Sequence, residues 1–186
     1  MTHDVVIMSG VRTAIGTLGG SLAGIPPCEL AARVAREAIG RSGFDASQIG
    51  MTVMGNVIHT EPRDMYLSRI AAIEAGVPET SPALTLNRLC GSGLQAVISA
   101  YESLALGNAA IALAGGAESM SRAGHLMTAS RFGQKMGDVT ATDMMIGALT
   151  DPFGNGHMGN TAENVADRYR ISRSSQDAHA VRSHER

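Results

Sequence analysis

The chain has 186 residues, 44% of them hydrophobic and 17% charged, with a formal net charge of −2. This profile suits one sizeable folded unit with a real core and excludes a disordered chain, and it gives no electrostatic footprint for nucleic acid or an anionic membrane surface. Its two cysteines, Cys28 and Cys90, are too few for a disulfide scaffold or a structural zinc site and point to a reducing compartment, the cytoplasm.

The opening, "MTHDVVIMSGVRTAIG", has no basic leader followed by a long apolar run, and no apolar stretch of the chain approaches a membrane span. "DVVIMSG" reads as a buried strand. A glycine-rich loop follows over 16–24, and Pro26 and Pro27 open a helix. On it Leu30, Ala31, Val34, Ala35, Ala38 and Ile39 recur at helical spacing, and Gly43 is the expected C-terminal stop. "MTVMGNVI" is a second strand, in which Gly55 marks a bulge or a close approach. Residues 65–75 suit a second helix, closed by Gly76 and Pro78.

"PALTLNRL" predicts a third strand ending at Cys90, "SGLQAVISAYESLAL" a third helix, and "AAIALAGG" a fourth strand. Strands alternating with helices imply an α/β fold with a mostly parallel βαβαβαβ sheet and helical layers. The third helix is apolar around most of its circumference, so it calls for a second layer besides the sheet, and no segment of this chain is expected to supply one.

After Glu118 the texture becomes irregular and rich in Ser, Gly and Met, and a boundary is placed near Met120. A helix is expected near Asn160, with Asn160 and Glu163 as a capping pair, and another after Ser172. The helical pattern is still running at Arg186, which reads as a chain cut from something longer.

The chemistry centres on "NRLCGSG", residues 87–93. A lone cysteine is most often a small buried hydrophobe, and Cys28 is read that way. Cys90 differs, because it falls where a parallel strand meets a helix N-terminus, the crevice that holds ligands in such sheets. The unpaired amides there favour thiolate over thiol, and thiolate is the nucleophile. Gly91, Ser92 and Gly93 leave room for an acyl group, and the Cys90 amide is placed to donate to an oxyanion. A rival reading takes Gly91, Gly93 and Ala96 as a dinucleotide-binding turn with Glu118 as the ribose acid. Its spacing is poor, since that acid normally follows by about 20 residues.

"NRLCGSGLQAV" resembles the acyl-cysteine motif of the thiolases. "SGVRTAIGTLGGSL", "AGGAESMS" and "HMGNTAENVA" agree in the same order, so the resemblance spans the chain. It implies a thiolase-like half over 1–120, followed over 121–186 by the beginning of an incomplete loop domain that binds substrate and coenzyme A. It also implies acyl transfer between coenzyme A thioesters through an acyl-Cys90 intermediate, with Leu149, His157 and Met158 near the pantetheine and acyl pocket. Coenzyme A is then substrate and product, and no bound cofactor or metal is implied. A homodimer or tetramer is implied for the complete protein, with "PALTLNRL" at a subunit contact. In the family the other half supplies a Gly-His-Pro histidine, a second acid–base cysteine and an asparagine. None of these is in this sequence, so the chain by itself is expected to be inactive.

Several of these residues have plain structural alternatives. His157 alone reads as a surface histidine at a helix start, and Met158 as packing. Arg122, His125, Arg131 and Lys135 suit either coenzyme A phosphates or a solvated or subunit-contact loop. "TEPRDMYLSR", from Thr60, departs from the strict acetoacetyl enzymes and leaves the acyl chain length open.

Overall fold

The computed structural model describes residues 4–186. Helix α1 runs from Pro27 to Ser42, with Pro27 in its first turn and Gly43 ending it at φ 81°. That left-handed turn is one that glycine adopts without steric cost. Of the periodic positions, Leu30, Ala31, Ala35 and Ile39 are buried and Val34 and Ala38 half-buried, and Cys28 is buried beside them.

Strand β1 is Met51–Gly55, α2 is Leu67–Glu74, β2 is Ala83–Leu86, α3 is Ser92–Ala105 and β3 is Ala112–Gly116. The three strands form a parallel sheet in the order β2-β1-β3, so β1 is central. Alternate β1 residues serve opposite layers. Met54 joins α1 and α2 in one core cluster with Leu67, Ala71 and Leu113. Val53 joins Ala96 and Ala100 of α3 in another. Helices cover both faces, which is why β1 is buried continuously over residues 52–55 rather than at alternate positions.

Beyond β3 the elements are short. Strands β4 (His125–Leu126) and β5 (Thr142–Asp143) pair antiparallel, and α4 follows over Met144–Ala148. Strands β6 (Thr150–Asp151) and β7 (Gly156–His157) form a second small hairpin, followed by α5 (Met158–Tyr169) and α6 (Arg173–His184). None of α4, α5 and α6 contributes a buried residue. No helix among the described residues is long and apolar enough to cross a membrane.

Several elements differ from expectation. "DVVIMSG" is not a strand: Val6, Ile7 and Met8 are 67%, 84% and 55% exposed, and the sheet has three strands rather than four. A strand requires a neighbour with free backbone groups, and no segment among the described residues pairs with it. The "MTVMGNVI" strand ends at Gly55, and the "PALTLNRL" strand ends at Leu86, four residues short of Cys90. The second helix is preceded by a 3₁₀ turn over Pro62–Tyr66. Helix α5 is capped by His157, whose Nδ1 accepts from the Gly159 amide at 3.0 Å, rather than by Asn160. The expectation for α3 holds: it is buried on one side only, and Leu94, Tyr101 and the following Leu106 are 66%, 53% and 78% exposed.

Candidate active site

Cys90 lies in the turn between β2 and α3, one residue before the helix cap Gly91, and its thiol is exposed. The turn is built by side chains as much as by backbone. Asn87 Oδ1 accepts from the Leu89 amide at 2.9 Å. Ser92 Oγ accepts from the Arg88 amide at 2.8 Å and donates to the Leu89 carbonyl at 2.6 Å. The amides of Gly91 and Ser92 donate back to Arg88 and Leu89. Leu89 takes φ 46°, one of two non-glycine residues among those described with positive φ.

The turn is pressed against the end of β1. A Cβ at Gly55 would come within 2.7 Å of the Ser92 Cβ, so the expected close approach at this glycine is observed. Beyond Gly55 the chain leaves the sheet because Glu118 captures it. The Glu118 carboxylate accepts from the amides of Val57 and Ile58 at 2.9 and 3.0 Å and from Asn56 Nδ2 at 3.1 Å. Burial raises the Glu118 pKa, and the two amide donors oppose the rise without overcoming it. With its oxygens engaged this way, Glu118 is an anchor for the 56–58 loop and is poorly placed as a ribose acid. Asn87 Nδ2 reaches the Val57 carbonyl at 3.5 Å, joining that loop to the cysteine turn.

Further along, fully buried Asp64 gathers the Thr60 amide (2.7 Å), the Thr60 hydroxyl (2.9 Å), the Glu61 amide (3.2 Å) and the Cys28 thiol (3.3 Å). Burial, reinforced by the Asp64 carboxylate, pushes the Cys28 thiol up to about 12. Cys28 is therefore a structural hydrogen-bond donor, as expected. Arg122 pairs with Glu61 at 3.1 Å and points at the Gly24 carbonyl at 3.5 Å. It ties the glycine-rich loop to the "TEP" segment, while His125, Arg131 and Lys135 stay exposed.

The β6–β7 hairpin unites the other three candidates. Thr150 is opposite His157, and the Met158 amide donates to the Leu149 carbonyl at 2.8 Å. Leu149 is half-buried, while His157 and Met158 are exposed. No hydrogen bond among the described residues links this hairpin to the Cys90 turn, so Cys90 and the 149–158 group stand as two parts of a candidate site. A cleft of about 550 Å³ lies elsewhere, between α1 and α2. The Arg33–Glu29 and Arg63–Glu74 pairs on its walls neutralise one another. Asn87 has no expected role in the site, and Ser92 and Glu118 take roles other than those expected, bracing the turn and anchoring the 56–58 loop. Only the Asn two residues before Leu89, a spacing suited to a side-chain turn, was a local signal.

The chain matches the family model described as thiolase, N-terminal domain, over residues 5–186. It is 58% identical over 186 residues to the beta-ketothiolase BktB of Cupriavidus necator, covering all of this chain and 47% of that protein. It is 47% identical over 181 residues to an acetyl-CoA acetyltransferase of the same organism, covering 97% of this chain and 46% of that one. The Bacillus anthracis acetyl-CoA acetyltransferase superposes with a TM-score of 0.91 at 38% identity, over 99% of this chain and 46% of that one. Human mitochondrial 3-ketoacyl-CoA thiolase in complex with CoA gives 0.90 at 34% identity, over 95% of this chain and 45% of that one. The chain thus spans about half the length of the curated relatives it matches, and it belongs to the thiolase family, in which it corresponds to the N-terminal domain.

Proposed function

We propose that this chain carries the acyl-accepting half of a thiolase-type acyltransferase. In thiolysis the Cys90 sulfur attacks the 3-keto carbon of a 3-ketoacyl-CoA, the Cα–Cβ bond breaks with acetyl-CoA leaving, and a second coenzyme A thiol then displaces Cys90 from the acyl group. In condensation Cys90 takes the acetyl group of acetyl-CoA with coenzyme A leaving, and the carbanion of a second acetyl-CoA displaces Cys90. The observation that carries this reading is the exposed Cys90 thiol at the start of α3, in a chain 58% identical to a beta-ketothiolase. The relatives' names favour acyl-CoA thioesters as substrates. Leu149, His157 and Met158, collected by the β6–β7 hairpin, form the acyl and pantetheine wall in a loop domain over 121–186, separate from the α/β domain over 1–120.

The 186 residues alone are inactive in this reading. No side-chain base is hydrogen-bonded to Cys90 among the described residues, and a thiol nucleophile needs one for proton transfer. A complementary segment of the full-length polypeptide supplies it. Strand β2 lies at an edge of the sheet and Leu84 is 44% exposed, which favours a dimer or tetramer assembled through that strand. Two free thiols suit the cytoplasm.

The test is Cys90→Ser in the full-length polypeptide carrying this chain, assayed for acetoacetyl-CoA cleavage. Turnover falls to background if Cys90 is the nucleophile. A serine variant with ordinary turnover removes it from that role.

A further inference from the structure

We infer that Asn87 and Ser92 are positioning residues for Cys90, acting by holding Leu89 in a left-handed conformation that sets where the next residue enters the helix. The inference rests on the reading of Cys90 as the acyl-accepting nucleophile.

Leu89 has φ 46°, which costs an L-residue free energy because its Cβ crowds the following carbonyl. Such a conformation persists only where its surroundings impose it. Here both of its peptide groups are held. The Leu89 amide donates to Asn87 Oδ1 at 2.9 Å, and its carbonyl accepts from Ser92 Oγ at 2.6 Å and from the Ser92 amide at 2.9 Å. Ser92 is itself fixed, being 5% exposed and seated where Gly55 has no side chain. Asn87 is tied across to the Val57 carbonyl in the loop that Glu118 anchors. The brace therefore begins at the central strand and at Glu118, two residues beyond β3, and ends at Leu89, one residue before Cys90. A glycine at 89 would reach the same conformation without a brace.

The experiment uses the full-length polypeptide and reads kcat, KM and the rate at which iodoacetamide alkylates Cys90. Asn87→Ala and Ser92→Ala should lower kcat on the order of 5–30-fold, the population shift expected when a left-handed residue loses its support. KM should stay nearly constant, and Cys90 alkylation should change in step with kcat. Leu89→Gly added to Asn87→Ala should raise kcat above that of Asn87→Ala, to the level of Leu89→Gly alone. Should the alanine variants misfold, Leu89→Val decides: it keeps the brace and increases the strain, so kcat should fall. Wild-type kcat in Asn87→Ala or in Leu89→Val, or no rescue by glycine, overturns the inference. If Cys90→Ser is inactive in the same assay, that failure leaves the nucleophile reading standing. An active Cys90→Ser is instead the failure of that reading.

Discussion

Gly55 and Ser92 touch where the central strand meets the cysteine-bearing helix: a Cβ on Gly55 would lie 2.7 Å from the Ser92 Cβ and 2.9 Å from the Ser92 carbonyl carbon. Both partners are held in place, Gly55 by ladders on either side and Ser92 by the turn. Gly55→Ala should therefore cost on the order of 1–3 kcal/mol through overpacking. Gly93→Ala, where nothing lies within 4 Å, should instead gain up to about 1 kcal/mol of helix propensity. Urea unfolding of the two variants checks the opposite signs.

Asp64 accepts four donors in a buried site. Asp64→Ala strands them, and a loss on the order of 2–4 kcal/mol follows from several unpaired buried groups. The same burial protects Cys28, whose thiol is pushed up to about 12. Iodoacetamide near neutral pH should label Cys90 in the native protein and Cys28 only after unfolding, read by peptide mass spectrometry. Equal labelling in the native state contradicts the buried Cys28–Asp64 bond.

The Glu118 carboxyl is raised above its ordinary 4.5 by burial, with Asp64 adding to the rise and His59 opposing it. The native state then holds this proton more tightly than the unfolded chain. The stabilisation that follows is fully present below pH 4.5 and declines as pH rises through the native value. Glu118→Gln lacks that decline, so its stability relative to wild type should improve from about pH 4.5 upward. Urea midpoints taken across this range measure the gap. A gap that moves toward wild type with rising pH contradicts the assignment.

Helix α3 and its C-terminal cap residue Leu106 turn Leu94, Val97, Tyr101 and Leu106 to solvent at 66%, 40%, 53% and 78% exposure. Apolar area left in water costs roughly 25 cal/mol per Å². Expressed alone, the 186-residue chain should bind a hydrophobic dye and sediment faster than a monomer. Leu94→Lys with Leu106→Lys should reduce both effects. A dye-silent monomer before substitution contradicts the account of this face.

What was legible in the sequence was local. The α1 boundaries follow from Pro27, a helical period and Gly43, all read within a few residues of one another. Cys90 stood out because an apolar run, a cysteine and glycines are adjacent. The rest depended on distant partners. "DVVIMSG" has the composition of a strand, but pairing is a property of a neighbour. The ends of the second and third strands were misjudged because the capture of Val57 and Ile58 by Glu118 spans about sixty positions and has no periodic trace. His157 was passed over as a cap because an imidazole nitrogen seldom serves as the first acceptor of a helix.

If Cys90 carries the acyl group, the acyl-enzyme can be caught there directly. The full-length polypeptide is mixed with acetyl-CoA, quenched in acid within the first turnovers, digested and examined by mass spectrometry. The account predicts one acetyl group on the peptide containing Cys90, lost on treatment with hydroxylamine and absent in Cys90→Ser. An acetyl group on a different residue, or turnover with Cys90 never acylated, contradicts it.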